Sequence, residues 1–165
     1  MSKAFTPEDG GAPEAPLLTR RRGDGPLRPI TRAGHARLLS ERAALEQERG
    51  KLIAQGTALG PSLRRAEVER RLGTLGILLD EVTVTDPPAS RATVAFDTRV
   101  TLQDPEGATV HYRLVGVDEA DARQERLSID APLARVLLGR SVGESVTLER
   151  PRGNIDYDVV GIDLP

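Results

Sequence analysis

The apolar residues change their spacing at Asp86-Pro87-Pro88, which divides the chain into a helical front and a strand-forming back. Upstream, Leu38, Leu45 and Leu52 recur every seven residues, flanked by Leu39 and Ile53, with Glu, Arg and Gln on the other faces. Thr31 can cap this run after the extended Pro29-Ile30, and Gly56 is the next strong breaker. The spacing predicts an amphipathic helix of about 24 residues, roughly 36 Å long at 1.5 Å per residue. Gly56-Thr57-Ala58-Leu59-Gly60-Pro61-Ser62 is a turn by composition. A second helix follows, with Leu63 near its start and Val68, Leu72, Leu75, Leu79 and Val82 alternating at spacings of four and three. Two such heptad seams joined by a short turn predict an antiparallel helical hairpin, a coiled coil over 30–85. Gly73 and Gly76 each cost the second helix up to about 1 kcal/mol, so packing must hold that part.

Downstream the period is two. Thr93–Phe96, Val100–Leu102, Val110–Val117, Leu127–Ile129, Val146–Leu148 and Tyr157–Ile162 are β-branched runs bounded by turns such as Asp104-Pro105-Glu106-Gly107. One short helix interrupts them, with Pro132 at its start, Leu137 and Leu138 within it, and Gly139 closing it. The expected class is α+β: a helical hairpin, then a small twisted antiparallel sheet with one helix over 86–165. Residues 1–29, broken by Gly10, Gly11, Pro13, Pro16, Gly23, Gly25 and Pro26, read as a disordered tail. Its Arg20-Arg21-Arg22 run reads as solvated rather than as a phosphate grip.

Composition narrows the chemistry. The 165 residues include no Cys and no Trp, so disulfide, thiolate-zinc, iron–sulfur and catalytic-thiol sites are excluded. His35 and His111 lie far apart and make a His-based metal site improbable. Four aromatics, Phe5, Phe96, Tyr112 and Tyr157, are too few for base stacking on a nucleic acid. No apolar run approaches the roughly 20 residues that span a bilayer, and the start lacks a signal-peptide core, so a cytoplasmic protein is expected. The formal net charge of −2 is unevenly spread, with +4 over 30–72 and −7 over 73–165. An acidic back half suits docking on a basic protein surface better than gripping phosphates.

Motifs with chemical content are few. Gly139-Arg140-Ser141-Val142-Gly143 matches the nucleophile-elbow pattern, but that elbow needs a strand before the serine and a helix after it. The order here is reversed, and the segment reads as a helix-exit turn. His111 reads as a cross-strand surface residue and His35 as part of a solvated helix face. The cluster Asp118-Glu119-Ala120-Asp121 could hold a hard cation, yet nothing else at ligand spacing completes a cage, so a solvated turn is expected. No phosphate-cradling loop or dinucleotide fingerprint is present. The residues by themselves describe a binding protein with no catalytic, cofactor or metal site of its own.

Several spaced segments carry a family resemblance. Val117-Asp118-Glu119-Ala120-Asp121, then Leu127-Ser128-Ile129-Asp130-Ala131-Pro132-Leu133-Ala134-Arg135-Val136-Leu137-Leu138-Gly139, then Val142-Gly143-Glu144 and Arg150-Pro151-Arg152-Gly153, fall in one register. Together they closely resemble the C-terminal domain of the bacterial GreA/GreB transcription elongation factors. Pro29-Ile30-Thr31-Arg32-Ala33-Gly34 resembles the start of that family's first helix. The resemblance implies an N-terminal coiled coil and an FKBP-like C-terminal domain. It also implies docking at the rim of the RNA polymerase secondary channel, as a monomer that meets nucleic acid only through the transcription complex. The docking residues it implies are Ser128, Asp130, Ala131 and Pro132, where the family has Ser in place of Ala131.

The chain departs from the family at the hairpin tip, Gly56, Thr57, Ala58, Leu59 and Gly60. There the family carries Asp and Glu, on longer arms, that help hold a second Mg²⁺ in the polymerase active site. This chain has no carboxylate between Glu48 and Glu67. The expectation is therefore a regulator of the family's type that does not stimulate cleavage. Two rivals remain at this point: a prolyl isomerase on the FKBP-like fold, and an adaptor whose hairpin binds some other protein.

Overall fold

A computed structural model of the chain describes residues 28–56, 59–151 and 153–165. Strand β1 (Arg28–Ile30) leads into helix α1 (Arg32–Ala54), and helix α2 (Leu59–Glu81) returns into strand β2 (Val82–Val84). Thr31 caps α1 as its residue type suggests, accepting a hydrogen bond from the Gly34 N–H. Val68 and Leu75 of α2 are buried, while Leu38, Leu45 and Leu52 of α1 are half-buried, as expected where two helices share one apolar stripe. Arg64 pairs with Glu48 at 2.7 Å and Arg71 with Glu41 at 2.6 Å, so the two helices run antiparallel. Strands β1 and β2 pair in parallel, Arg28 with Val82 through Ile30 with Val84, and the helix pair is the crossover that parallel pairing needs.

The second sheet is five-stranded. It contains β3 (Arg99–Gln103), β4 (Thr109–Val115), β5 (Arg126–Ser128), β6 (Ser145–Leu148) and β7 (Ile155–Asp163), in the order β5-β4-β3-β7-β6. Helix α3 (Pro132–Leu137) turns Leu133, Ala134 and Leu137 into a core with Val94, Val100, Leu102, Leu114, Val146, Val159 and Ile162. Pro132 opens α3, and Gly139 follows it with a left-handed φ of 82°.

Four expectations need correction. The sheet is mixed, because β5 runs parallel to β4. The connection between them is no tight turn: 3₁₀ turns at Val117–Glu119 and Ala122–Gln124 carry the chain back before β5 begins. Thr93–Phe96 is not a strand; Val94 instead exchanges backbone hydrogen bonds with Arg140 and Gly139 beyond α3, and Asp97 then turns the chain at φ 61°. Helix α2 starts at Leu59, earlier than the Gly60-Pro61 pair suggested, because proline is tolerated in a first helical turn; it ends at Glu81, and Val82 belongs to β2. Arg28 and Pro29, assigned to the tail, form β1. The rest of the tail, with Arg20-Arg21-Arg22, lies outside the described residues.

Candidate docking loop and hairpin tip

Ser128 ends β5 opposite Val115, and its side-chain oxygen accepts from the Asp130 N–H at 3.1 Å. Its carbonyl accepts from the Ala131 N–H at 2.9 Å, which closes a tight loop. Asp130 is exposed at the apex, with only a long 4.0 Å approach to the Arg135 guanidinium. Ala131 occupies the cap position of α3 without a side chain able to cap it, and the exposed Pro132 begins the helix. Sequence-expected docking residues 128 and 130–132 thus form one contiguous loop. The buried Leu133, Ala134 and Leu137 pack the helix that follows the loop into the core of the sheet domain.

At the far end, α1 closes through Gln55, and Gly56 takes a φ of 87°, a left-handed turn suited to glycine. Leu59 and Gly60 open α2, while Thr57 and Ala58 lie outside the described residues. The first turn of α2 contains no acidic residue. Glu48 and Glu67, the nearest carboxylates on either side, are both held by Arg64, at 2.7 and 2.8 Å. These pairs keep the Arg64 guanidinium protonated beyond its ordinary range. Mg²⁺ is held chiefly by carboxylates and other hard oxygens, and the described residues of the tip itself present no carboxylate.

The remaining motif residues are occupied structurally. The Ser141 N–H donates to Glu144 at 2.6 Å between α3 and β6, which is the helix-exit turn expected of Gly139–Gly143. That bond, and then Arg140, lowers the Glu144 pKa. His111 sits cross-strand from Thr101, with Nδ1 3.0 Å from the threonine hydroxyl. His35 is half-buried on α1. Among the described residues, no group of three His, Cys, Asp or Glu is placed to hold a metal ion, and no helix is long and apolar enough to cross a membrane.

The Asp118–Asp121 segment corrects the expectation of a solvated turn. Glu119 is 4% exposed. Its carboxylate accepts from the Thr31 N–H at 2.8 Å and from the Thr31 hydroxyl at 2.5 Å, with Arg37 3.5 Å away. Asp118 takes two hydrogen bonds from Arg28, at 2.7 and 2.6 Å, and Arg28 also reaches Glu81 at 2.7 Å. A Cβ on Gly34 would overlap Glu119 Oε1, and one on Gly116 would overlap the Pro29 carbonyl oxygen. These two glycines were the available signal: each permits a close approach between the helical pair and the sheet domain.

Comparison with known proteins adds the following. A family model described as the C-terminal region of the GreA/GreB transcription elongation factors matches residues 89–164. Transcription elongation factor GreB of Pseudomonas aeruginosa is 34% identical over 151 residues, covering 82% of this chain and 90% of its own length. GreA of Thioalkalivibrio sulfidiphilus is 32% identical over 151 residues, covering 81% and 96%. Among solved structures, a GreA/GreB factor from Nitrosomonas europaea aligns at 22% identity with a TM-score of 0.42, covering 82% of this chain and 98% of that one. The GreA homologue Gfh1 of Thermus thermophilus aligns at 24% identity and 0.40, covering 83% and 99%.

Proposed function

The chain belongs to the GreA/GreB family of transcription elongation factors, and from that premise we propose that it regulates bacterial RNA polymerase without stimulating transcript cleavage. In this reading the sheet domain is FKBP-like and docks at the rim of the secondary channel through Ser128, Asp130, Ala131 and Pro132. The helical pair is the hairpin that enters the channel. The protein acts in the cytoplasm as a monomer and meets RNA only through the transcription complex.

The observation that carries the reading is the tip. No carboxylate lies between Glu48 and Glu67, and Arg64 occupies both of those flanking acids. A tip without carboxylates lacks the strong hard-oxygen ligands needed to add a metal ion to another protein's active site. What remains is occupancy of the channel, in competition with factors that do cleave. The isomerase rival is disfavoured because the sheet domain offers only three aromatics to line a proline pocket, Phe96, Tyr112 and Tyr157, and Phe96 is buried.

Two measurements test this. Backtracked elongation complexes incubated with the protein should release no RNA fragment above background; strong cleavage would sink the proposal. Purified polymerase core should retain the wild-type chain and lose Asp130→Arg, and equal retention of both would show that the docking loop is misassigned.

A further inference from the structure

The helical pair joins the sheet domain covalently by one path only, residues 85–98 between β2 and β3. A single linker containing Pro87 and Pro88 does not by itself fix the direction in which two 23-residue helices point. Contacts across the junction must do so. The Arg28 pairs with Asp118 and Glu81 are half-exposed on the arginine side, and such pairs hold weakly.

The Glu119 contact is of another kind. Its side chain is 3% exposed, and it binds the backbone and hydroxyl of the residue that caps α1. The same Thr31 hydroxyl accepts from the Gly34 N–H at 2.9 Å, so sheet domain, cap and first helical turn form one chain of hydrogen bonds. A carboxylate at this end of α1 is also favoured by the helix dipole. Removing it would strand a buried N–H and hydroxyl.

We propose that Glu119 is a positioning residue: its clamp on Thr31, admitted by Gly34 and Gly116, sets the direction of the helical pair relative to the sheet domain. The proposal deepens the polymerase reading, on which its functional consequence rests, because that direction decides where the tip arrives once the docking loop is engaged.

The absence of cysteine makes the test clean. Gln55→Cys at the tip and Glu106→Cys on the β3–β4 turn, both exposed, accept a pair of spin labels with no background. Pulsed electron resonance on the full chain should give one narrow distance distribution. Glu119→Ala should broaden it at least twofold or shift its centre. Thr31→Val, which removes the hydroxyl that both donates to Glu119 and caps α1, should broaden it less. Glu119→Gln, which keeps one acceptor for the Thr31 N–H and leaves the cap in place, should recover part of the wild-type width. Circular dichroism identifies any variant that fails to fold, and Glu119→Gln, expected to stay broader than wild type with the α1 cap intact, then decides. Wild-type width and centre in every folded variant would overturn the clamp. Polymerase retention separates the two readings: a clamp intact by distance with no polymerase binding sinks the polymerase reading alone, and binding with unchanged distances in the variants sinks the clamp alone.

Discussion

Asp97 combines two unfavourable circumstances at one position: a left-handed φ of 61° and a carboxylate that is buried against Arg113 at 2.7 Å. Burial raises its pKa, and the ion pair with Arg113 offsets that only in part. A carboxylate whose folded pKa is raised contributes stability that is present at low pH and lost as pH rises through the folded value. Asparagine tolerates the same backbone, carries no charge and keeps an oxygen that accepts from Arg113. Because Arg113 is a third exposed, Asp97→Asn should stay within about 1 kcal/mol of wild type at pH 7. Asp97→Ala, which lacks that backbone tolerance and the hydrogen bond, should lose about 1–3 kcal/mol. Urea unfolding at several pH values checks both, and wild type should gain on Asp97→Asn as pH falls from 7 toward 4. Glu144 has the opposite sign: its lowered pKa gives stability above the unfolded value that disappears on acidification, so Glu144→Gln should be less acid-sensitive. At this scale the sequence was only partly legible. Glu119 sits in an Asp-rich segment whose composition describes a solvated turn, because burial of an acid depends on a partner 88 positions away.

Helix α2 carries two glycines with open space where a side chain would stand. Nothing lies within 4 Å of a Cβ built on Gly73 or Gly76. Alanine at either should raise stability by about 0.5–1 kcal/mol, read as a higher midpoint in thermal unfolding. Gly34→Ala in α1 should do the reverse despite the same helical preference, since the added methyl displaces Glu119. Ala131→Ser would supply the cap that α3 lacks and should add about 0.5–1 kcal/mol by the same assay. The elements themselves were largely readable: the Thr31 cap, the Pro132 start and the Gly139 stop each act through local backbone chemistry. The direction of β5 was not readable, because alternation of side chains is identical in parallel and antiparallel strands. Thr93–Phe96 misled for a related reason. Val94 and Phe96 are both buried two residues apart, as in a strand, but the Val94 backbone bonds to Gly139 and Arg140 beyond α3 and Phe96 enters a turn.

For the molecule as a whole, charge separates the two parts, with +4 over 30–72 and −7 over 73–165. If the acidic sheet domain steers docking, affinity for polymerase core should fall on the order of tenfold as salt rises from roughly 0.05 to 0.5 M. Asp130→Arg should bind more weakly throughout and show a flatter salt dependence in the same titration. The proposed docking loop rests on motif register rather than on chemistry, since Asp130 is one exposed carboxylate among many and nothing in its spacing alone sets it apart. The tip, by contrast, was readable as a turn from its glycines and proline. The junction between the parts escaped a reading along the chain, because its members are residues 28–37, 81 and 116–119. Its mechanical meaning follows from length. Each helix of the pair is roughly 35 Å long, so a tilt of about 10° at the junction sweeps the tip through about 6 Å. The pair is a long lever on a short fulcrum, and the accuracy of its far end is set by a few hydrogen bonds at the near one.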